Sequence, residues 1–127
     1  MKTLTTAPSQ GHQTLLYSEL VTDLTNLKAD IAFLGMPFGA AYGPRSFTND
    51  QTNAPQAIRS VTDRLVRAPG HYDFDIEGPL LQHREDIKLV DLGDVLPDLT
   101  DPGAHYRKAE EVIRKLLSVG ALPVILG

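Results

Sequence analysis

Three short apolar runs punctuate the chain: "ADIAFLG" near residue 30, "IKLVDLGDV" near residue 90 and "ALPVILG" at residues 121–127. The first and third are continuous rather than alternating, the pattern of a strand covered on both faces, and the second carries Ile87, Leu89 and Val90. Ile31 to Leu34, then Ile87, Leu89 and Val90, then Leu122 to Leu126 are the expected strand residues, the second strand ending at or just after Asp91. Between them the period changes to that of a helix. "NAPQAIRSVTDRL" places Ala54, Ala57, Ile58, Val61 and Leu65 on one face, with Asn53 as N-cap and Gln56 closing a capping box. "GAHYRKAEEVIRKLLSV" places Ala109, Val112, Ile113, Leu116 and Leu117 on one face. Glu110–Arg114 and Glu111–Lys115 pair on the other. Asp101 caps that helix with Pro102 at its first position, and Gly120 sits where a C-terminal cap belongs. Strand, helix, strand, helix, strand is two right-handed crossovers. The expected fold class is α/β, a three-layer α/β/α arrangement on a parallel sheet.

The remaining segments carry weaker signals. Residues 1–13 have no periodicity and read as a flexible N-terminal arm, leaving 14–127 as the N-terminal part of a single α/β domain. "YSELVTDLTNL" has Leu20, Val21, Leu24 and Leu27 at helical spacing, with Ser18 as a cap, and predicts a short helix. "RAPGHYDFDIEGPLLQHRED" is irregular, with "YDFDI" as a short edge strand. "MPFGAAYGPRSFTNDQT" is a long polar loop of the kind that is functional or disordered when it occurs in a compact domain.

Composition narrows the picture only a little. The 127 residues suit one modest core, and a net charge of −4 favours neither nucleic acid nor an anionic membrane as partner. Cysteine is absent, which removes disulfides and thiolate metal sites. No run has the length of a membrane span and the N-terminus lacks the apolar stretch of a secretory signal, so the cytoplasm is the expected compartment.

Parallel sheets bind ligands beyond the carboxyl ends of their strands. The loop after Leu34 contains Gly35, Gly39 and Gly43 but not the G-x-G-x-x-G spacing, and its helix begins too late for a dinucleotide fingerprint. A structural loop whose glycines supply turns suits it better, or a loop that shapes a pocket with Asn49, Asp50 and Gln51 as polar lining. Asp91 and Asp94 stand at a strand end across a glycine; turn acceptors are the favoured reading, since two carboxylates alone are too few for a metal site. His12, His71, His83 and His105 form no ligand pattern and read as exposed or capping. No nucleophile elbow and no catalytic set is present.

The succession "IAFLGMPFG", "NAPQAIR", "IKLVDLGDV", a charged amphipathic helix and "LPVILG" resembles the N-terminal third of the ureohydrolases, the family of arginase, agmatinase and guanidinobutyrase. The resemblance covers residues 30–127. It implies that the first strand lies between the second and the third. It implies a hydrolase in which two Mn²⁺ ions share a hydroxide that attacks a guanidinium carbon, releasing urea or a relative. In the family the strand matching "PVILG" runs into a Gly-Gly-Asp-His metal motif. Gly127 matches its first glycine, so no metal ligand and no catalytic residue is expected within this chain, which reads as an inactive N-terminal segment. The resemblance further implies a small guanidino compound as partner and a trimer or hexamer. Gly39 stands where members commonly carry aspartate, and "YGPRSFTNDQTNAP" replaces the usual Arg-Pro-Gly-Ala-Arg-Phe-Gly-Pro stretch. That leaves agmatine, arginine, a smaller guanidino compound and formiminoglutamate open as substrates. Asn49 and Asp50 are the expected substrate-rim residues. The alternative is a stand-alone, non-catalytic α/β binding or assembly protein.

Overall fold

The computed structural model describes residues 3–9, 11, 13–38, 50–65, 70–98 and 100–127. Its centre is a four-stranded sheet of β1 (Glu19–Leu20), β2 (Ile31–Gly35), β5 (Leu89–Asp94) and β6 (Leu122–Leu126), in the order β1-β5-β2-β6. Every pairing in it is parallel. The strand expected first, β2, lies between the other two as the resemblance implied. Helices α1 (Ala54–Ser60) and α2 (Thr62–Leu65) follow β2, and α3 (Pro102–Ser118) joins β5 to β6. The first crossover runs from β2 to β5 and the second runs the other way, from β5 across β2 to β6, so right-handed connections place α1 and α3 on opposite faces. A small antiparallel hairpin, β3 (Tyr72–Asp73) with β4 (Gly78–Pro79), occupies the irregular region where an edge strand was expected.

The main core lies between the sheet and α3. Ala32, Leu34, Val90 and Leu92 are buried with Val112 and Leu116 of the helix, joined by Leu24, Leu27, Val95 and Ala121. Helix α3 starts as expected: Pro102 is its first residue and the Asp101 carboxylate accepts from the Ala104 N–H at 3.2 Å. Arg114 pairs with Glu110, whereas Glu111 and Lys115 are not an ion pair. Leu117, expected on the buried face, is 61% exposed.

Two expected elements differ. The helix predicted over "YSELVTDLTNL" is instead strand β1 followed by turns. The main chain here pairs with β5, Glu19 opposite Val90, and Val21 N–H donates to the Asp91 carbonyl at 2.9 Å. Asp23 accepts from both the amide and the hydroxyl of Thr25, an Asx turn that competes with helix. Leu24 and Leu27 are buried as the pattern required, but by turns rather than by a helical stripe. The second difference is in α1. Asn53 makes no side-chain cap, and the helix breaks at Val61. Its buried residues are Pro55 and Arg59, while Ile58 and Val61 are each 38% exposed.

The described part of the segment read as an arm lies against the sheet. Ala7 bridges Asp94 in antiparallel fashion through two main-chain bonds, Thr5 bridges Asp23, and the Thr6 hydroxyl donates to the Leu92 carbonyl.

Candidate functional site at the carboxyl ends of the strands

The distinctive chemistry of the described residues sits where β5 ends. Along β2 and β5, Phe33 pairs with Asp91 but Gly35 pairs with Asp94, so three steps on β5 match two on β2. The extra residue is a bulge at Leu92–Gly93, and Gly93 adopts φ 72°, a conformation other residues rarely take. Strict alternation would send Asp91 and Asp94 to opposite faces of the sheet. The bulge instead turns both carboxylates to the α1 side, away from the apolar core under α3.

Between them lies Arg59 of α1, which is wholly buried. Its Nε and Nη2 donate to the two oxygens of Asp91, each at 2.9 Å, in a fork-to-fork pair. Nη1 donates to Asp94 Oδ1 at 2.6 Å, and Nη2 also donates to the Gly93 carbonyl at 2.9 Å. Burial opposes the charge, but hydrogen bonds and attraction from Asp91 and then Asp94 outweigh it and hold the guanidinium above its ordinary pKa. Asp91 also accepts the Gly93 N–H at 2.8 Å and the Leu15 N–H at 2.8 Å. Leu15–Tyr17 is a 3₁₀ turn in which Leu16 and Tyr17 both have φ near +55°. That costly backbone is held by the bond to Asp91 and by Leu16 N–H donating to the buried Thr62 hydroxyl at 3.1 Å.

Gly35 completes the arrangement. A Cβ on it would overlap Asp94 Oδ1 and lie 2.9 Å from its Cγ and 3.0 Å from Pro55 Cβ. Beyond it, Val95 N–H donates to the Gly35 carbonyl at 2.9 Å and Met36 N–H to the Leu126 carbonyl at 2.8 Å. The ends of β5, β2 and β6 are thus stitched together in sequence.

With this geometry in view, residues 29–127 match the arginase family. The chain belongs to the arginase family. The parallel α/β sheet agrees with the arginase-like fold, and the matched segment is ureohydrolase-like. Members of the arginase family are generally metal-dependent, often act on guanidino compounds and often oligomerise.

The described residues do not fit a metal centre. No group of three or more His, Asp or Glu among them is placed to hold an ion. Asp91 accepts four hydrogen bonds, which fills its lone pairs. Of the expected site residues, Asn49 lies outside the described residues. Asp50 opens the 3₁₀ turn Asp50–Asn53 that leads into α1. His12 also lies outside, and His71 and His83 are exposed as expected.

His105 differs: it is 1% exposed rather than capping or solvated. Its ring stacks on Phe38 at 5.2 Å, Nδ1 lies 3.3 Å from the Leu96 carbonyl, and Nε2 has no hydrogen-bond partner among the described residues. Arg59 is the residue the sequence reading missed altogether. Two aspartates at the end of a buried strand demand a cation, and the only signal for it was an arginine four residues after Pro55 on the helix that follows β2.

Proposed function

We propose that this chain is the N-terminal segment of an agmatinase-like, metal-dependent hydrolase that cleaves a C–N bond of a small guanidino compound and releases a urea-type product. The match to the arginase family over residues 29–127 carries the reading. Asp91 is saturated and Asp94 is tied to Arg59, which keeps these two from serving as ligands; as the family resemblance implies, the reading assigns the metal ligands, for two Mn²⁺ or similar ions in the intact enzyme, to a part of the protein outside residues 1–127. This segment supplies the strand ends and, through Asn49 and Asp50, the rim of the substrate entrance. On its own it is inactive. The intact enzyme is a cytoplasmic homo-oligomer, a trimer or hexamer; among the described residues no helix is long and apolar enough to cross a membrane.

Urea release from agmatine, arginine and guanidinobutyrate, measured with and without added Mn²⁺, tests this. The 127-residue chain should be silent, and the protein as encoded, containing this segment, should turn over one of them when Mn²⁺ is added. Turnover by the chain alone, or none by the metal-loaded encoded protein on any guanidino compound, overturns the proposal. In the active protein Asp50→Ala should raise KM and leave kcat unchanged, as expected when binding weakens before chemistry. A fall in melting temperature with KM unchanged would assign Asp50 to the helix entry instead.

A further inference from the structure

A buried arginine between two carboxylates is a poor way to gain stability, because desolvation consumes most of the attraction and apolar residues of the same volume do as well or better. Its place in the fold points to another role. The cluster is not in the middle of the core but at one end of the sheet, and its bonds join α1 to the two acids and one main-chain carbonyl of the bulge there. Arg59 holds the Gly93 carbonyl and both acids of the bulge. Asp94 in turn occupies the space left by the missing Cβ of Gly35. Gly35 and Met36 then carry the geometry to Val95 and to Leu126 of β6. The opposite end of the sheet is tied independently of all this. There the Asp30 carboxylate accepts from Lys88 N–H at 2.7 Å, Ile31 N–H donates to the Lys88 carbonyl at 3.2 Å, and Leu122 N–H to the Asp30 carbonyl at 2.8 Å.

We propose that Arg59 is a positioning residue for the carboxyl ends of the strands: by clamping Asp91 and Asp94 across the bulge it sets where β5, β2 and β6 end. In the intact enzyme it thereby positions the segments from which the reaction site is built. The second statement rests on the function proposed above; the first does not.

Residue-resolved hydrogen exchange separates this role from general stabilisation. In Arg59→Lys, which keeps the charge but loses the fork, the amides of Val95 and Met36 should lose about tenfold or more in protection, while Ile31 and Leu122 change by less than about threefold. Equal loss at both ends, or no loss at Val95 and Met36, overturns the proposal. Should Arg59→Lys fail to fold, Asp94→Asn keeps the bidentate pair with Asp91 and is read in the same way. In the encoded protein Arg59→Lys should lower kcat by about a hundredfold, the scale expected for a misplaced site, with KM changing far less. Absence of hydrolysis in the unmodified protein would defeat the functional reading and leave the exchange result standing. An unmodified protein that hydrolyses its substrate, beside an Arg59→Lys variant with opened strand ends and unchanged kcat, would defeat the positioning role.

Discussion

Replacing Gly93 by alanine probes the junction between the bulge and the N-terminal strap, the segment holding Thr5, Thr6 and Ala7 that lies against the sheet. Gly93 has φ 72°, and an added Cβ would overlap the Ala7 carbonyl oxygen, 2.8 Å from the Ala7 carbonyl carbon and 3.0 Å from Pro8 Cα. All three obstructing atoms are backbone, so no side chain can swing aside; the strap must move. The left-handed conformation alone costs an alanine about 1–2 kcal/mol. Displacing the strap removes the two main-chain bonds between Ala7 and Asp94, at 2.6 and 3.0 Å, each contributing about 0.5–1.5 kcal/mol. The total is about 2–5 kcal/mol. Gly120 supplies the control: its φ is 78°, but nothing lies within 4 Å of its Cβ position. Gly120→Ala therefore carries the backbone term alone, about 1–2 kcal/mol. Urea unfolding of both variants, followed by circular dichroism, measures the difference. A second pair lacking residues 1–8 completes the cycle, and in that background the excess cost at Gly93 should vanish. Equal destabilisation by the two substitutions in the intact chain, or an excess that survives removal of the strap, would refute the account of how the strap is held.

Two further outcomes are expected. His105→Phe should change stability by no more than about 1 kcal/mol, because it removes an unpartnered buried nitrogen and keeps the ring on Phe38, whereas His105→Ala should cost about 2–4 kcal/mol; thermal melts in which the two variants fall equally would contradict this. Asp98 is held below its ordinary pKa first by the Thr100 hydroxyl and then by the amides of Thr100 and Asp101, so its contribution is present above about pH 4 and lost as pH falls through the lowered folded value. Denaturation measured from pH 7 to pH 2 should show Asp98→Asn less stable than the unmodified chain at neutral pH and converging with it in acid.

What the residue pattern revealed, and what it concealed, follows from which forces leave a local trace. The three strands and α3 were legible because burial on both faces writes continuous apolar runs and because Asp101, Pro102 and Gly120 mark the ends of the helix with local chemistry. The segment from Glu19 to Leu27 was misread because Leu20, Val21, Leu24 and Leu27 satisfy a helical period equally well when a short strand and its turns bury them. Its pairing partner, β5, lies some seventy positions further along the chain, and only that pairing decides between the two. In α1 the apolar stripe was assigned to Ile58 and Val61, yet the inward face is Pro55 and Arg59. A charged residue counts as solvent-facing in any periodicity argument, and its partners become visible only when the bulge has turned Asp94 toward it. The candidate site was legible only as a place, the carboxyl ends of a parallel sheet.

The strap has a consequence for the order in which the molecule assembles. Thr6 and Leu92, joined by a hydrogen bond, are 86 residues apart in sequence. Closing so long a loop returns little until β5 has paired with β2 and the turn at Gly93 exists to receive it. The strap is therefore made well before the strand that receives it and placed last in the fold, a clasp that fastens only once the sheet behind it has formed. Refolding should show its contacts arriving in the final phase, and unfolding should begin by releasing them.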